Sequence, residues 1–329
     1  MDQPPTQEAD FLAMSEYITE DKKGRKKLAK GYFSPSRLKT LEACPWQYEL
    51  KYNRKIYPYE RIIEPHSELG SAMHYFAEHY DGSGDPRKIS LLTHNAKNKF
   101  TLEEAQLEEL DVMIDNLVNG IWPLLEGKGE REFSFTPKKI QTEVNIKGEI
   151  MVPSSDKQFR VMPLNMKIDR LVTTEDNRHI IIDFKKGQPN THRHLFQVLF
   201  YAVAYSQRFR VLIPDIEIWL IFPNEKKNWI RIIDGAQVLE LVQDFEEDLK
   251  EKFDLIEQKA PFTEEDAQPS FLCNFCPFHA TDLCPTTKML EGAKYPENAE
   301  RKFYIGSYVK GRQVKTPVNP EEQLNTPSW

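Results

Sequence analysis

Two short apolar segments joined by a turn constrain the fold of this chain more than any other feature. Residues 167–172 and 180–185 are both rich in β-branched and other apolar side chains, and the residues between them are polar and turn-forming. If a β-hairpin is centred on Asp176, Asp169 lies directly opposite Asp183, with the two Cβ atoms about 5 Å apart on one face. The sequence therefore predicts two carboxylates that face each other across paired strands.

The two facing carboxylates repel each other and destabilise a sheet. A divalent cation between them removes this conflict, and oxygen ligands suit Mg²⁺ or Mn²⁺. Because side chains alternate along a strand, Lys185 shares a face with Asp183, whereas Ile180, Ile182 and Phe184 point into a core. Such a set suits phosphodiester hydrolysis, since a metal polarises the phosphate and a lysine positions water or stabilises charge. The alternative is a structural, salt-bridged hairpin that faces solvent.

Two predicted helices carry further polar side chains that could reach this site. His74 lies beside the apolar face of a helix predicted near residues 66–80, and a neutral imidazole could complete a metal shell, especially for Mn²⁺. Gln197 and Tyr201 are spaced i, i+4 on a helix predicted from residue 190 or 191 to about 209, so they share a face. The alternatives are a surface or hydrogen-bonded core histidine and an ordinary amphipathic helix edge.

The order of predicted elements indicates a mixed α/β fold. Helices come first, strands follow near residues 139–150, 159–173 and 178–185, and a helix and two further strands come after them. The sequence has no Gly-x4-Gly-Lys-Ser/Thr phosphate loop, so no ATP-driven motor is evident. The net charge of −7 argues against a broad basic surface that coats nucleic acid, although local contacts with DNA stay compatible with it.

The order and spacing of these motifs resemble the RecB-type branch of the PD-(D/E)XK nuclease superfamily. Gly-x3-His, Ile-Asp-Arg, Asp-Phe-Lys and Gln-x3-Tyr follow one another within about residues 34–286. The resemblance implies a restriction-endonuclease-like mixed sheet core flanked by helices. It implies catalytic roles for Asp169, Asp183, Lys185, Gln197 and Tyr201, and metal binding by His74, Asp169, Asp183 and Phe184. The glycine of the family's Gly-Arg-Ile-Asp motif is replaced by Met166 here. Glu143, on the preceding strand, is a further candidate for a second metal or an outer-shell water.

Four cysteines form a second candidate site. Cys273, Cys276 and Cys284 lie close together before Pro285, and Cys44 lies far upstream. In a reducing compartment, a metal or catalytic role is favoured over disulfides. Four thiolates suit a [4Fe–4S] cluster or a structural Zn²⁺, although zinc sites more often use two close pairs. One distant cysteine with a triplet ending in Cys-Pro resembles the iron–sulfur nucleases, namely AddB-type subunits and CRISPR-associated Cas-four-type nucleases, where the cluster is structural. Four buried cysteines without a metal are the remaining alternative.

The sequence predicts a single nuclease domain over residues 31–304, between a flexible arm at 1–30 and a loosely ordered tail at 305–329. The expected parts of this domain are a helical part at about 34–125, a catalytic core at about 138–260, and an iron–sulfur segment at 268–290 joined by Cys44. The first residues resemble neither a secretory signal nor a transit peptide, and no apolar run approaches a membrane span. We therefore expect a cytoplasmic protein, in the host cytoplasm if it is viral, without a membrane partner.

Together the motifs predict a metal-dependent DNA nuclease, an exonuclease or endonuclease of DNA recombination, repair or processing. Its expected substrate is single-stranded DNA or duplex ends, and a separate helicase, recombinase or CRISPR adaptation protein is a candidate partner. Two other classes stay open: a catalytically silent DNA-end-binding module and a zinc-stabilised structural or adaptor protein. The intact acid–acid–lysine set favours the enzyme, because a silent relative is expected to lose one member. A positive rim around the metal centre is predicted from Lys185, Lys186, His192, Arg193 and His194, and from Arg37, Lys39, Lys51, Arg54 and Lys55.

Overall fold

A computed structural model defines the fold of the chain. It describes residues 18–28, 32–59, 65–127, 135–153, 159–186, 191–223, 229–270, 272–273, 276–285, 302–309 and 312–318. The chain divides into two compact units. One, which we call the cysteine unit, comprises residues 1–62, 151–164 and 246–329, and the other, the carboxylate unit, comprises residues 63–150 and 165–245. No helix in the described ranges is long and apolar enough to cross a membrane.

Eight α-helices are defined in the described parts of the chain. They are α1 (Pro35–Ala43), α2 (Pro45–Tyr48), α3 (Pro65–His79), α4 (Pro86–Lys99), α5 (Glu104–Asp115), α6 (Trp122–Leu125), α7 (Thr191–Phe209) and α8 (Gly235–Lys259). Two π-helical turns follow α2 and α5, at Glu49–Asn53 and Asn116–Ile121. Short 3₁₀ turns lie at Ile213–Asp215 and Glu264–Asp266.

The described strands number ten. They are β1 (Ile18–Glu20), β2 (Lys26–Leu28), β3 (Ile56–Pro58), β4 (Pro137–Pro153), β5 (Phe159–Thr174), β6 (His179–Phe184), β7 (Ile216–Phe222), β8 (Trp229–Ile233), β9 (Phe303–Val309) and β10 (Arg312–Pro317).

The carboxylate unit is built on a mixed sheet. Strands β5 and β6 pair antiparallel with Arg170 opposite Ile182, so the hairpin is centred on Asp176 as predicted. Strands β6 and β7 pair in parallel, with Ile181 opposite Ile218, and helix α7 provides the crossover that a parallel pair requires. Strand β8 closes this part of the sheet antiparallel to β7. The mixture of parallel and antiparallel pairs with flanking helices confirms the predicted mixed α/β fold.

Helices of the carboxylate unit cover one face of this sheet with a continuous apolar core. Met73 and Phe76 of α3 are fully buried in the same cluster as Ile180, Ile182 and Phe184 of β6. Strand β6 therefore has the alternation predicted from its sequence, because its even-numbered residues enter the core. The odd-numbered residues lie on the opposite face, where Ile181 is fully buried and Asp183 is 1% exposed.

Helix α4 was not predicted from the sequence, although a start signal is present. The Asp85 side chain accepts a hydrogen bond from the Arg87 N–H at 2.9 Å, and Pro86 occupies the first helical position. Ile89, Leu92 and Ala96 pack at helical spacing against the core.

The cysteine unit begins its helical part as predicted. The Ser34 side chain caps α1 by accepting from the Arg37 N–H at 3.4 Å. Cys44 ends α1 and caps α2, whose first residue is Pro45. Trp46 of α2 is buried, and its Nε1–H donates to the Leu283 carbonyl at 2.8 Å. This bond joins two segments of the unit that are distant in sequence.

Strands lie near both ends of the described chain, within or beside the predicted arm and tail. Strands β9 and β10 form an antiparallel hairpin, and β9 pairs with β3, so residues 303–309 and 312–317 are ordered. The physical reason is burial, because Phe303 enters the core of the cysteine unit with Trp46. Strands β1 and β2 likewise form a hairpin within the predicted arm. Residues 1–17 and 319–329 lie outside the described residues.

Candidate active site and cysteine cavity

The end of the β5–β6 hairpin positions the two predicted acids. Asp183 is 1% exposed, and the Phe184 backbone N–H donates to Asp169 Oδ2 at 3.0 Å. The regular pairing of β5 with β6 ends at Arg170 and Ile182. The Asp169 carboxylate therefore accepts from a backbone N–H that lies beyond the last regular pair of these two strands. The Phe184 ring is buried in the core, and only its backbone carbonyl could therefore face a metal.

Lys185 and Gln197 connect the acid on β6 to helix α7. Lys185 Nζ lies 2.6 Å from Asp183 Oδ2 and donates to Gln197 Oε1 at 3.1 Å. Gln197 Nε2 donates to Asp183 Oδ1 at 3.3 Å and to the Tyr201 hydroxyl at 2.6 Å. The structure thus brings Asp183, Lys185, Gln197 and Tyr201 into one hydrogen-bonded group, with Gln197 and Tyr201 on one helix face.

Burial controls the protonation of the two acids. Loss of solvent raises the pKa of both Asp169 and Asp183, and the negative charge of Asp169 raises that of Asp183 further. The ammonium group of Lys185 opposes this rise at both carboxyls. The site therefore holds two carboxylates whose shared negative charge is only partly neutralised by one lysine.

His74 reaches the same site from helix α3. Its Nδ1 lies 3.5 Å from Asp169 Oδ2, and it also has a hydrogen bond with the backbone of Phe184. Loss of solvent around the ring lowers the pKa of His74 below its usual value of 6.5. The imidazole is consequently neutral near pH 7, so its contact with Asp169 is not an ion pair. A neutral imidazole keeps a lone pair on one ring nitrogen, which is available to a metal.

The donors of this site are close neighbours but are not already arranged around one point. Among the residues that the structure describes, no three His, Cys, Asp or Glu side chains are placed to hold one ion. Asp183 Oδ2 is buried and lies 2.6 Å from the Lys185 ammonium. A carboxylate oxygen has more than one lone pair, so Oδ2 retains capacity for a further ligand.

Glu143 lies near this group through Lys167. The Lys167 ammonium contacts Glu143 Oε2, and its positive charge lowers the pKa of Asp169. Glu143 has a φ of +52°, the left-handed region that a non-glycine residue rarely adopts within a strand. Whether Glu143 supports a second metal stays a prediction. His192 and Arg193 lie outside the described side chains, and the positive rim also stays a prediction.

The structure brings all four cysteines to one cavity within the cysteine unit. Cys44, Cys273, Cys276 and Cys284 line it together with Trp46 and Phe278. The pKa of Cys276 is raised to about 12, chiefly by burial. The nearby Cys284 and Cys44 contribute to this rise. All four are free cysteines, without disulfides.

Backbone N–H groups point at three of the sulfurs. The Gln47 N–H donates to Cys44 Sγ at 3.4 Å, and the Ser270 N–H donates to Cys273 Sγ at 3.4 Å. Hydrogen bonds from the backbone of Phe278 and His279 lower the pKa of Cys276, against the effect of burial. Such donors favour a thiolate over a thiol, which is the form that binds metals.

His279 is a cavity residue that sequence reasoning missed. It is 2% exposed and lines the same cavity as the cysteines. The signal was present, because the spacing Cys276-x2-His279-x4-Cys284 places an imidazole between two predicted thiolate ligands. A histidine at this spacing is itself a common metal ligand.

The sequence over residues 32–285 matches the profile of the PD-(D/E)XK nuclease superfamily. The chain belongs to this superfamily. Its acid–acid–lysine site therefore lies in a nuclease, a class of enzyme that hydrolyses phosphodiester bonds. The segment Asp183-Phe184-Lys185 has the Asp-X-Lys spacing that the name of the superfamily describes.

Two of the solved structures that match this PD-(D/E)XK chain have low sequence identity to it. One is a crystal structure described as a "putative exonuclease" from Eubacterium rectale, with 13% identity and a TM-score of 0.46, and the match covers 88% of this chain and 96% of that one. The other is the protein SSO0001, with 18% identity and a TM-score of 0.24, and here the match covers 68% of this chain and 96% of that one. No curated protein matches the sequence.

Proposed function

We propose that this chain is a divalent-metal-dependent DNA nuclease whose chemistry depends on Asp169, Asp183 and Lys185. One observation carries the proposal: the hairpin end places a buried acid with a lysine ammonium 2.6 Å away, and a second acid is anchored beside them. Membership in the PD-(D/E)XK superfamily supports phosphodiester hydrolysis as the reaction.

A divalent cation fits the donors at this site. The buried Asp183 Oδ2 has a lone pair left beside its contact with Lys185, and hard oxygen donors of this kind suit Mg²⁺ or Mn²⁺. Asp169, Asp183 and the Phe184 carbonyl would hold the ion, and the neutral His74 imidazole would complete its shell. When bound, such an ion polarises the phosphate and lowers the pKa of a bound water.

The chain's own side chains prepare the site for the phosphate. Lys185 supplies a positive charge where negative charge develops on the phosphorus oxygens, and its ammonium protons can orient the attacking water. Gln197 accepts from Lys185 and donates to Asp183, so it holds the lysine and the acid in one fixed arrangement. Tyr201 fixes the amide of Gln197 in turn, since its hydroxyl accepts from Gln197 Nε2, the same nitrogen that donates to Asp183.

We further propose that the substrate is DNA and that cleavage proceeds from an end. The test uses linear single-stranded and duplex DNA labelled at either end, circular DNA of both kinds, and reactions with Mg²⁺, Mn²⁺ or EDTA. We expect loss of label from linear DNA with a metal, no product in EDTA, and intact circles. Cleavage of circles would show an endonuclease, and cleavage in EDTA would overturn metal dependence.

A lysine variant separates metal binding from turnover. Lys185→Ala should still bind Mn²⁺, because both carboxylates remain, yet it should lose cleavage by roughly a hundredfold or more. Lys139→Ala, at an exposed position of β4, is the matched control and should cleave at the parental rate. Parental cleavage by Lys185→Ala would show that this lysine has no part in the reaction.

The cysteine cavity, we propose, holds a [4Fe–4S] cluster. All four thiols line one cavity, and four thiolates are what such a cluster takes. One distant cysteine with a triplet supports the cluster over zinc, whose sites more often use two close pairs. Iron, sulfide and zinc analysis of protein purified without oxygen tests this, with absorbance near 400 nm. About four irons per chain are expected, and one zinc without iron would favour the structural zinc site.

A further inference from the structure

The three-stranded sheet of the cysteine unit has two chemically different faces. Strand β3 pairs with β9, and Ile56 lies opposite Ile305 while Tyr57 lies opposite Tyr304. Ile56 and Phe303 are buried in the core of the unit, with Ile305 packed against them. Because side chains alternate along a strand, Tyr57 and Tyr304 lie on the opposite face.

Tyrosine rings cover this outer face. The ring centroids of Tyr57 and Tyr304 are 5.8 Å apart, and those of Tyr59 and Tyr304 are 5.0 Å apart. The Tyr59 N–H donates to the Lys302 carbonyl at 2.9 Å, which continues the strand pairing and keeps Tyr59 on the same face. A Cβ added to Gly306 would lie 3.0 Å from the Tyr57 ring, so glycine allows this ring to lie against the backbone of β9. Tyr59 is 42% exposed.

Basic side chains accompany these rings. Lys302 pairs with Tyr59 across the strands, and the Lys315 ammonium lies 4.7 Å from the centre of the Tyr304 ring. The Arg37 guanidinium lies 4.0 Å from the Tyr32 ring and 4.6 Å from the Tyr52 ring. We call the set formed by Tyr57, Tyr59, Lys302, Tyr304 and Lys315 the tyrosine face.

The Arg37 group adjoins the tyrosine face. Burial raises the pKa of Tyr57, and the nearby charge of Arg37 lowers it. The remaining groups close enough to affect this pKa are Tyr52, Tyr304 and Tyr32, which raise it. A cation and four aromatic rings thus lie close together, in a chain whose net charge is −7. This local charge is opposite in sign to the charge of the whole protein, as expected for a surface that meets a polyanion.

We propose that the tyrosine face binds single-stranded DNA, a surface additional to the nuclease site. Bases stack on the exposed ring of Tyr59 and the neighbouring ring of Tyr304, and phosphates are attracted by Lys302 and Lys315. Single strands are the appropriate partner because their unpaired bases offer both ring faces, whereas the bases of a duplex are already stacked. The inference rests on the proposed function in that the bound strand is DNA.

The test measures binding of the full chain to a fluorescein-labelled thymidine oligonucleotide in EDTA, where cleavage is absent. Tyr59→Ala should weaken binding roughly tenfold, since base stacking on one aromatic ring contributes about that factor or more. Tyr59→Phe keeps the ring and should bind like the parent. Lys315→Gln should reduce the slope of log affinity against log salt by about 0.7, the value for one phosphate contact on a single strand. Lys22→Gln, in an exposed turn of the same unit, is the control and should leave the slope unchanged.

The outcomes separate this inference from the proposed function. If the parent cleaves DNA and Tyr59→Ala binds the oligonucleotide as tightly as the parent, the tyrosine face has no role in binding. If Tyr59→Ala weakens duplex binding as much as single-strand binding, the stacking argument is wrong. If the parent binds oligonucleotide but cleaves no DNA under any metal condition, the proposed function fails and the tyrosine face stands.

Discussion

The carboxylate site and the cysteine cavity are held together by different kinds of contact. At the first, side chains contact one another directly, as Lys185 does with Asp183 and as Gln197 does with both. At the second, Cys44 and Cys273 accept hydrogen bonds from backbone N–H groups of their own segments. The first site is thus arranged by its own side chains, whereas the second presents sulfurs that a metal centre would join.

This difference has a consequence for stability. Asp169, Asp183 and Lys185 lie close together in sequence on one hairpin, so local strand pairing positions them. The cysteine cavity joins Cys44 to a segment more than two hundred residues later, through the Trp46 side chain and a shared apolar core. We therefore expect losses at the first site to affect catalysis and losses at the second to affect folding.

The largest expected effect is on cleavage by Asp183→Asn. The amide keeps the shape of the side chain but removes the negative charge that a divalent cation requires, so cleavage should fall by roughly a thousandfold or more. Folding should be preserved, because the variant no longer buries a charge opposite Asp169. End-labelled DNA cleavage and thermal unfolding measure the two. Asp244→Asn, exposed on α8, is the control, and a parental rate for Asp183→Asn would remove this acid from the site.

The next effect is on the stability of the cysteine unit in Cys44→Ala. Loss of one thiolate should release the centre and its crosslink, and a closed loop of this length contributes about 5 kcal/mol in chain-entropy estimates. Thermal unfolding and iron content, measured on parent and variant before and after metal removal, test this. The two proteins should differ only when the metal is present. An equal difference after metal removal would assign the loss to packing of the side chain.

A smaller effect is expected from Gln197→Ala, which tests whether side-chain contacts prearrange the carboxylate site. Losing the amide frees both Lys185 and Asp183, so kcat should fall about ten- to a hundredfold with little change in KM. Gln197→Glu should be worse, because it places a third carboxylate beside Asp183. Gln207→Ala on the same helix is the control. An unchanged kcat in Gln197→Ala would show that the lysine and the acid hold each other without it.

The smallest effect is a pH dependence of stability in the metal-free protein. The pKa of Asp183 is raised in the folded state above its usual value of 3.8. Between pH 3.8 and the raised pKa, the folded chain therefore binds more protons than the unfolded chain. Stability from this group therefore rises as pH falls through the raised pKa and is lost as pH rises. Between pH 7 and pH 4, the thermal midpoint of the EDTA-treated parent should rise relative to that of Asp183→Asn as the pH falls. The same slope in both proteins would place its origin elsewhere.

The sequence by itself determined the register of the hairpin and the residues at its end. Alternating side chains and a short polar turn are local properties, so a pairing centred on Asp176 and a shared face for Asp169 and Asp183 follow from a few consecutive residues. The i, i+4 spacing likewise placed Gln197 and Tyr201 on one face of α7, where they hydrogen-bond. These predictions needed no knowledge of distant contacts.

Only the tertiary structure decided which distant segments meet. The pairing of β3 with β9 joins residues 56–58 to residues 303–305, and nothing in either short segment specifies its partner. This pairing places residues 303–305 in a sheet and gathers tyrosines into one face. The cavity around Cys44 depends in the same way on apolar burial shared between remote segments, which also places His279 beside the cysteines. Burial of apolar area is not directional, so a pattern of residues shows which side chains enter a core without showing which of them will meet there.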